Sequence, residues 1–448
     1  KHPTKMYLPS KRIISCLALL GFYCAVTNAL ELEDGLVMNK EEQNHFVLSL
    51  SEAIEDHPIS LEAFSLVAQS QAMLDVAKSN RRPQIKLQGN TRNSLEQKFE
   101  DSSSTVFESA RDRSRADGSL VIQQTLFDQS IKREIAKQEK ITQAELLGKQ
   151  QKIAELTLQM ILSCQNTAVF HQIGSLIEDS ITSHREISER IRIRVESGRT
   201  FAAELSRANA RLAEAEAKKM AMNLNLRTAI AEFTQLLPKG IPCKKLFPIE
   251  PSFLLFEHEA LLAGMQNNFS LLQARRLVEA ATQELERAKA GFRPKVSAEL
   301  RGDRYDLIGD RNYDVYVGIN FNFDLYTGGR KSSMIRAAME QLNGAGFRRD
   351  ILKKELVAQL EANFAELNNS ESRMRAFVSA YNAYEESRNL LILQFESANV
   401  SLLELLQAER DHLESAELLL MNHKSILSAH TKQLFLLGQL NNYLNDWI

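Results

Sequence analysis

The segment Arg81–Gly89 reads RRPQIKLQG, and the segment Arg293–Gly302 repeats its pattern as RPKVSAELRG. Their prolines, Pro83 and Pro294, stand 211 positions apart. Each proline follows an alanine-rich stretch with helical periodicity and precedes a short stretch in which apolar and polar residues alternate. Because proline breaks the interior of a helix, both segments predict a change from helix to strand.

The two halves of the chain have the same order of predicted elements. Proline-free blocks of 154 residues follow the two prolines, at 84–237 and 295–448. Each block predicts strand, loop, strand, very long helix, tight break and long helix, and Val195–Ala217 matches Phe395–Glu417 at an offset of 200. The shared order and the shared interruptions indicate an internal duplication.

These patterns divide the chain into four predicted parts. They are a signal peptide at 1–29, a first repeat at 30–237, a proline-rich connector at 238–256 and a second repeat at 257–448. Each repeat would contain a helix, two strands and a long helical hairpin. A longer loop in the first repeat, Lys98–Arg113, accounts for the change of offset from 211 to 200.

The N-terminal region carries an export signal. Lys11 and Arg12 precede an apolar run at Ile13–Val26, and the small residues of Thr27–Ala29 suit cleavage. An apolar run of 14 residues is too short to span a bilayer as a helix. We therefore expect an exported protein. A net charge of −2 disfavours nucleic acid as a partner.

The second repeat has the clearest strand pattern. Its segment VYVGINFNFDLY (Val315–Tyr326) alternates apolar and polar residues over twelve positions, and Val296–Arg301 alternates in the same way. The first repeat shows a weaker alternation around Leu87 and Leu120. A run of twelve suits a tilted membrane strand, which needs about 9–11 residues. A half-buried strand of a soluble sandwich is the alternative.

The remaining apolar pattern is helical. Apolar residues at spacings of three, four and seven predict a continuous helix at Lys331–Phe395 and an equivalent helix at about Ser130–Glu196, each with the packing stripe of a coiled coil. Each helix ends at a short break, Gly198–Thr200 or Ala398–Ser401, and the chain then returns as a second long helix.

Four strands in one chain cannot close a barrel. An open strand edge within a membrane leaves backbone groups without hydrogen-bond partners, at a cost of several kcal/mol for each group. Either the chain forms an oligomer that closes the sheet, or the interpretation of these strands as membrane strands is wrong.

The order of these segments resembles the TolC family of outer membrane channels. LSEAIEDHP (Leu50–Pro58) resembles the family's opening motif, and the two proline segments resemble its helix-to-strand transitions. FDLYTGGRK (Phe323–Lys331) resembles its strand-to-helix transition, and QFESANVSLLELLQAERDHLESAE (Gln394–Glu417) resembles its tip motif. The resemblance covers nearly all of the chain after the predicted signal peptide.

The resemblance implies an α+β membrane protein built from two internal repeats per chain. Three chains would form a homotrimer with a 12-stranded transmembrane β-barrel, continued by a long periplasmic α-helical (coiled-coil) barrel. The expected location is the outer membrane of a Gram-negative bacterium, with a large periplasmic part. Outer membrane lipid would surround the strands.

The resemblance also implies a function and a set of partners. We expect an outer membrane export channel of a tripartite transport system that docks on a periplasmic adaptor protein and an inner-membrane transporter. The second tip motif resembles the subgroup that serves type I protein secretion. Multidrug or small-molecule efflux by the same fold is one alternative. An exported coiled-coil structural or adhesive protein is an alternative from another class.

The family's tips dock on the adaptor, and its pore entrance lies beside them. The corresponding tip residues in this sequence are Ser197, Gly198, Arg199, Thr200, Ala398, Asn399, Val400 and Ser401. The resemblance places Glu404 and Gln407 at the pore entrance, with Gln407 where the family has a second acidic residue. The second tip has Ala398 where the family has glycine, and Val400 and Phe395 stand where the family has an arginine and a tyrosine that hold the entrance shut.

Two expectations for Glu404 compete. Three copies could form a ring of carboxylates in a narrow passage, where like charges would raise the pKa of each glutamate. In the alternative, Glu404 faces a neighbouring helix and pairs with a cation such as Arg410.

The sequence contains no recognisable catalytic motif. GAGFRR (Gly344–Arg349) lacks the Lys-Ser/Thr of a phosphate-binding loop. His412, His423 and His430 share one helix face, but their spacings are too wide for one metal ion, so we expect a solvated or lumen-facing stripe. We expect no enzyme, cofactor or metal. Whether Cys164 and Cys243 pair stays open.

Overall fold

The structure, a computed structural model, describes residues 36–93, 95, 114–237, 243–248, 257–304, 313–397 and 400–445. Several features expected from the sequence lie outside the described residues. They are the signal peptide, the loop Lys98–Arg113, most of the connector 238–256, and the tip residues Ala398 and Asn399.

The described helices and strands follow one another in the order that the sequence predicts. They are, in chain order, α1 (Lys40–Asp56), α2 (Pro58–Ser79), β1 (Gln84–Asn93), β2 (Ser114–Phe127), α3 (Gln129–Glu196), α4 (Ala202–Leu236), α5 (His258–Gly264), a 3₁₀ turn (Met265–Asn267), α6 (Phe269–Ala290), β3 (Lys295–Arg304), β4 (Tyr313–Asn322), α7 (Arg330–Asn368), α8 (Ser370–Glu396), α9 (Leu402–Leu436) and α10 (Leu440–Asn445).

The chain divides into two compact units. The helical unit contains Lys1–Leu61, Gln151–Asn268 and Glu355–Ile448, and the sheet unit contains Glu62–Gln150 and Phe269–Lys354. Both units therefore draw segments from both predicted repeats.

The sheet unit contains an antiparallel sheet in the order β1-β2-β3-β4. The register sets apolar residues of neighbouring strands opposite one another, in the pairs Leu87–Leu120, Ile122–Leu300 and Leu300–Val317. Since side chains alternate between the two faces of a sheet, these residues share one face. That face is exposed, with Leu87 at 83% and Val317 at 77% exposure. The strands expected from the alternating pattern are confirmed.

The opposite face of the sheet is polar. Asn320 Nδ2 on β4 donates a hydrogen bond to Glu299 Oε2 on β3 at 2.9 Å. On the same face, Arg301 forms an ion pair with Asp303 at 2.9 Å. The sheet thus separates an apolar surface from a polar one.

Strand β4 is shorter than the alternating pattern predicts. The pattern continues to Tyr326, but the strand ends at Asn322. The last pair in the ladder is Lys295 with Asn322. The residue before Lys295 is Pro294, which has no backbone N–H to donate, so the ladder cannot continue past it. The prediction of twelve strand residues was wrong for this reason.

Within the sheet unit, α3 packs between α2 and α6. Lys137 and Lys140 of α3 form ion pairs with Glu284 and Glu279 of α6, at 3.2 and 2.8 Å. On its other side, Thr142 Oγ1 donates a hydrogen bond to the carbonyl oxygen of a residue on α2 at 3.3 Å.

The helical unit has its main core at the end farther from the tips. Side chains of α1, α3, α4, α9 and α10 meet there, and the fully buried members include Phe46, Leu156, Met160, Leu434 and Tyr443. Further clusters follow α3 toward its C-terminal end, where Ile187 and Ile191 are buried. A nearly continuous core therefore holds α3 against α4 and α9.

The long helix expected at Lys331–Phe395 is interrupted, so that prediction was wrong in one detail. α7 ends at Asn368 and α8 begins at Ser370. The interruption falls in the run Asn368-Asn369-Ser370, and the Asn369 side chain donates a hydrogen bond to Ala365 O at 3.1 Å. Asn and Ser weaken helices because their side chains compete for backbone hydrogen bonds. The equivalent helix of the first repeat, α3, is continuous as predicted.

Cys164 and Cys243 form a disulfide bond, with 5.2 Å between their Cα atoms. The bond ties α3 to the described segment of the connector, and both cysteines are buried in the main core. Beside it, Leu246 N donates a hydrogen bond to Leu36 O at 2.8 Å. The question that the sequence left open is thereby answered.

Across the ranges that the structure describes, none of the helices has a stretch that is both long and apolar enough to cross a membrane.

Candidate functional site: the helical tips

The first tip is a tight turn built on glycine. Gly198 N donates to Val195 O at 2.9 Å, and Arg199 N donates to Arg194 O at 2.8 Å. These two bonds form a Schellman motif, which requires a left-handed residue after the helix. Gly198 fills that position with φ +70°. The turn is therefore rigidly defined by the backbone.

The side chains of the first tip are open to solvent. Ser197 and Arg199 are exposed, and Thr200 is half-buried. The Thr200 hydroxyl hydrogen-bonds the carboxylate of Glu204 in the next turn. Phe201 is the N-cap residue of the return helix α4 and is 81% exposed. An exposed aromatic ring at this position was missed by the sequence analysis.

The second tip ends in a capping box. Glu404 N donates to Ser401 Oγ, and the Glu404 carboxylate accepts from Ser401 N at 3.1 Å. The motif S-x-x-E could be recognised from the sequence alone. These hydrogen bonds, first from the backbone and then from the side chain of Ser401, lower the pKa of Glu404 below its ordinary value. Val400 beside it is half-buried, whereas Ser401 is exposed.

The two expected entrance residues, Glu404 and Gln407, are both exposed on α9. The Gln407 amide donates to the carboxylate of Asp411 at 3.3 Å. Arg410 forms ion pairs with Asp411 at 3.4 Å and with Glu414 at 3.8 Å. Within one chain Arg410 thus pairs with Asp411 and Glu414, and Glu404 pairs with Ser401. The alternative in which Glu404 faces a neighbouring helix and pairs with a cation stays a prediction.

A cation–aromatic contact joins the two tips. The Arg194 guanidinium lies 4.5 Å from the centroid of the Phe395 ring, and its Nη2 donates to Phe395 O at 3.0 Å. Arg194 lies near the end of α3, and Phe395 lies near the end of α8. The role of Arg194 could not be predicted from the sequence, because no local spacing connects residues that are 201 positions apart.

A small apolar cluster packs within the helices directly next to both tips. Ile187 and Ile191 of α3, Ala208 of α4, and Phe395 and Leu402 beside the second tip are buried together. The cluster draws residues from α3, α4, α8 and α9, so the tips are held at one end of the helical unit.

A buried polar cluster lies deeper along the same helices. Arg388 Nε on α8 lies 3.0 Å from Glu409 Oε1 on α9, whose side chain is 2% exposed. Ser183 Oγ on α3 donates to Glu409 at 3.0 Å and accepts from Arg388 at 3.1 Å. Three helices from both halves of the chain thus share one buried charge pair.

Histidines next to this cluster are kept neutral. Burial lowers the pKa of His184, and the Glu409 charge partly opposes that shift. Tyr381 lies against His412 with 5.4 Å between the ring centroids, and burial raises the pKa of Tyr381 to about 12. His184 and Arg388 were not singled out from the sequence, since nothing in the pattern of α3 or α8 marks them.

The three histidines on α9, expected to form a solvated or lumen-facing stripe, are each half-buried in the chain. Burial lowers the pKa of His412 and brings those of His423 and His430 to about 4. Partial burial on this packed helix therefore favours their neutral forms. Throughout the described ranges, no group of three or more His, Cys, Asp or Glu side chains is placed to hold a metal ion.

Residues 263–439 match the family model described as "Outer membrane efflux protein". The chain is 22% identical over 260 residues to the outer membrane efflux protein BepC of Brucella suis biovar 1 (strain 1330), a match covering 56% of this chain and 56% of BepC. It is 23% identical over 354 residues to the outer membrane protein TolC of Salmonella enteritidis, covering 72% of this chain and 67% of TolC. The chain thus spans just over half the length of BepC.

The fold is shared with a solved outer membrane protein. The crystal structure of VceC from Vibrio cholerae superposes with a TM-score of 0.75 at 17% identity, covering 88% of this chain and 96% of VceC. The resemblance to the TolC family drawn from the sequence is confirmed, and so is the location in the outer membrane with a large periplasmic part.

Proposed function

We propose that this chain is one protomer of a homotrimeric outer membrane export channel built from two repeats per chain. Its sheet would form a third of a 12-stranded transmembrane β-barrel, and its helices a third of a periplasmic α-helical coiled-coil barrel. The open edges of the sheet carry the proposal. Among the described strands, β1 and β4 each have a neighbour on one side alone.

The edges and the apolar face together argue for closure between copies. The face that contains Leu87 and Val317 is exposed and suits a lipid surface. Lipid cannot hydrogen-bond the free backbone groups of an edge strand, so another strand must do so. Three copies of a four-stranded sheet supply twelve strands in a ring.

Mass measurement in mild detergent tests this assembly. The result expected is three chains per particle, with the sheet intact by circular dichroism. A stable monomer with an intact sheet would refute the trimer. Detergent dependence separates the channel from the exported adhesive protein, since the latter would stay soluble without detergent. The fold shared with an outer membrane protein already favours the channel.

We infer that the tips dock on a periplasmic adaptor protein, which in turn contacts an inner-membrane transporter. The exposed Phe201, the exposed Arg199 and the exposed Leu403 support this role, because such side chains suit a protein partner. The sequence shows no nucleotide-binding loop, so the energy for export would come from the transporter. Ala398 and Asn399 belong to the same proposed surface.

Substitution at the tips tests the docking. Phe201→Glu should abolish export and leave the trimer intact, because the ring contributes nothing to the buried core. Asn225→Glu is the matched control, since Asn225 is exposed on the same helix away from the tip. Loss of the trimer in Phe201→Glu would make the residue structural and would contradict the docking role.

Glu404 and Gln407 are proposed to line the entrance of the pore. Their exposure supports this role, since three exposed copies of Glu404 could converge on the axis of a trimer. A ring of carboxylates favours cations in an aqueous passage.

Two kinds of cargo are candidates for the proposed channel: a secreted protein and a small molecule. The second tip, QFESANVSLLELLQAE (Gln394–Glu409), favours type I protein secretion. The name of BepC as an efflux protein favours small-molecule efflux. A deletion strain decides between them: loss of a secreted protein at unchanged drug resistance indicates secretion, and drug sensitivity at unchanged secretion indicates efflux.

A further inference from the structure

The helical unit contains a cavity of about 780 Å³ between α3, α7 and α9. Its size lies within the range of about 300–1,000 Å³ that small-molecule sites occupy. All three helices contribute apolar side chains to its wall, namely Leu158, Leu162, Ala362, Ala429, Phe435 and Leu436. Every residue that lines it belongs to the helical unit of one chain. The cavity is therefore large enough for a ligand and has an apolar surface to hold one.

Two lysines of α9 also line the cavity. Lys424 is half-buried, and Lys432 is exposed. Neither ammonium group has an ion-pair partner among the described residues. Burial, and then repulsion by Lys432, lowers the pKa of Lys424. The two positive charges thus repel each other, and an anion in the cavity would offset that repulsion.

The carboxylate of Glu366 lines the cavity as well, but its charge is already balanced. Arg373 forms an ion pair with it at 2.6 Å, and Ser425 Oγ donates a hydrogen bond to it at 2.9 Å. These contacts, first with Arg373 and then with Ser425, lower the pKa of Glu366. Since Arg373 neutralises Glu366, the two lysines leave the cavity with an excess of positive charge.

A buried hydrogen-bond acceptor in the wall lacks a donor. Asn363 on α7 lines the cavity and is 8% exposed. Its Nδ2 donates to Ala429 O at 2.8 Å, whereas its buried Oδ1 accepts no hydrogen bond from the described residues. A buried acceptor without a donor is unfavourable, so a ligand that donates a hydrogen bond to Oδ1 would be favoured here.

We propose that this cavity binds a small organic anion that combines an apolar body with a hydroxyl group. Lys424 and Lys432 attract the anionic group, the apolar wall contacts the body, and Asn363 Oδ1 accepts a hydrogen bond from the hydroxyl. Because Lys432 is exposed, the anion reaches the lysines from water. The site belongs to a single chain, so the proposal goes beyond the export channel and does not depend on the trimer.

Titration calorimetry with a defined probe tests the site. The probe is 6-hydroxynaphthalene-2-sulfonate, which has an anionic group, an apolar ring system and a hydroxyl donor. The full chain is held in nanodiscs of zwitterionic lipid, and empty nanodiscs supply the baseline. We expect saturable binding at one site per chain. Binding that does not saturate, or that equals the baseline, would overturn the proposal.

Two related probes separate the contributions on the native chain. Naphthalene-2-sulfonate lacks the hydroxyl and should bind about three- to tenfold more weakly, because one hydrogen bond is lost. The neutral 2,6-dihydroxynaphthalene lacks the charge and should bind more weakly by about tenfold or more. Equal binding of the two sulfonates would overturn the role of Asn363. Equal binding of the neutral probe would overturn the assignment of an anion.

A charge-removing variant tests the lysines directly. Lys424→Met with Lys432→Met keeps two long side chains but removes both charges, so the hydroxylated probe should bind more weakly by about tenfold or more. Lys152→Met with Lys244→Met is the matched control, because both lysines are exposed and lie outside the cavity. The control should bind the probe as the native chain does. Equal affinities of the two double variants would overturn the role of the lysines.

The outcomes also separate this site from the assembly. Circular dichroism and mass measurement are made first on each protein. A folded trimer that binds no probe, as when a neighbouring copy fills the cavity, overturns the site and leaves the channel standing. A monomer that binds the probe supports the site and refutes the trimer. If the lysine variant does not fold, the comparison of the three probes on the native chain decides.

Discussion

Arg388 on α8 and Glu409 on α9 form a buried ion pair with 3.0 Å between Nε and the carboxylate oxygen. Ser183 on α3 contacts both partners, so the pair joins the second helical hairpin to a helix of the first. Removing one partner of a fully buried pair costs about 3–5 kcal/mol. Because the Arg388 side chain is 24% exposed, the cost of losing Glu409 should fall toward the lower end of that range.

We expect Glu409→Ala to destabilise the helical unit by an amount of that order. The matched control is Glu414→Ala, because the Arg410–Glu414 pair is exposed and separated by 3.8 Å. Exposed pairs contribute about 0–1 kcal/mol. Heat or denaturant stability in detergent measures the difference. Equal effects of the two variants would show that burial of Glu409 contributes nothing.

The contact between Arg194 and Phe395 should hold the two tips together. Phe395→Leu keeps an apolar side chain in the cluster but removes the ring under the guanidinium, and such contacts contribute about 0.5–2 kcal/mol. We expect faster amide hydrogen exchange in the peptides that contain residues 190–200 and 390–400. Arg192→Gln is the control, since Arg192 pairs with exposed Glu189 and Glu196 outside the tip contact. Unchanged hydrogen exchange in Phe395→Leu would contradict the role of the Arg194–Phe395 contact in holding the tips together.

The Cys164–Cys243 disulfide should stabilise the helical unit through the chain that it encloses. The two cysteines are separated by 79 residues, and closing a loop of that size contributes about 2–5 kcal/mol in the chain-entropy model. Cys164→Ala with Cys243→Ala should therefore unfold at a lower temperature than the native chain. A reducing agent should lower the unfolding temperature of the native chain and leave that of the variant unchanged. An equal response of both proteins would disprove this role.

His423 and His430 should make stability fall at acidic pH. Burial brings both pKa values to about 4 from an ordinary value of 6.5, so the unfolded chain binds protons more readily than the folded chain. Above a pH of about 6.5 both histidines are neutral in the folded and in the unfolded chain, so they do not change the free energy of unfolding. As the pH falls from about 6.5 toward 4, the unfolded chain takes up protons first, and the free energy of unfolding decreases. The double variant His423→Gln, His430→Gln should show a shallower loss over this range. His171→Gln, at an exposed position, should keep the native slope; identical slopes in all three proteins would refute the assignment.

The sequence predicted the elements well because their signals are local. The alternation around Leu87 and Val317 marks strands, and the S-x-x-E motif of Ser401 and Glu404 marks a helix start. Contacts between distant segments leave no such signal. The Arg194–Phe395 contact and the Arg388–Glu409 pair depend on how α3 meets α8 and α9, which no spacing within one helix encodes. The interruption at Asn369 was missed because the apolar stripe continues on both sides of it.

The proposed role of Glu404 at a pore entrance depends on its charge. Its capping hydrogen bonds with Ser401 lower its pKa and keep the carboxylate ionised at neutral pH. Glu404→Gln removes the charge but keeps a side chain that can fill the same position of a capping box, so the helix start should persist. If three copies face a narrow passage, the native channel in a lipid bilayer should prefer cations, and the variant should lose that preference and much of its block by divalent cations. Glu204→Gln, at the matching position of the first hairpin, is the control and should keep the native selectivity.

Acid titration of the native channel adds a second readout, because the capping hydrogen bonds and a ring of like charges shift the pKa of Glu404 in opposite directions. If acidification removes the cation preference at a pH above the ordinary pKa of glutamate, the three carboxylates form a crowded ring. If the preference persists at a pH below that pKa, the carboxylates are separated and held by their capping hydrogen bonds. A Glu404→Gln channel with native selectivity and native block would place Glu404 outside the pore.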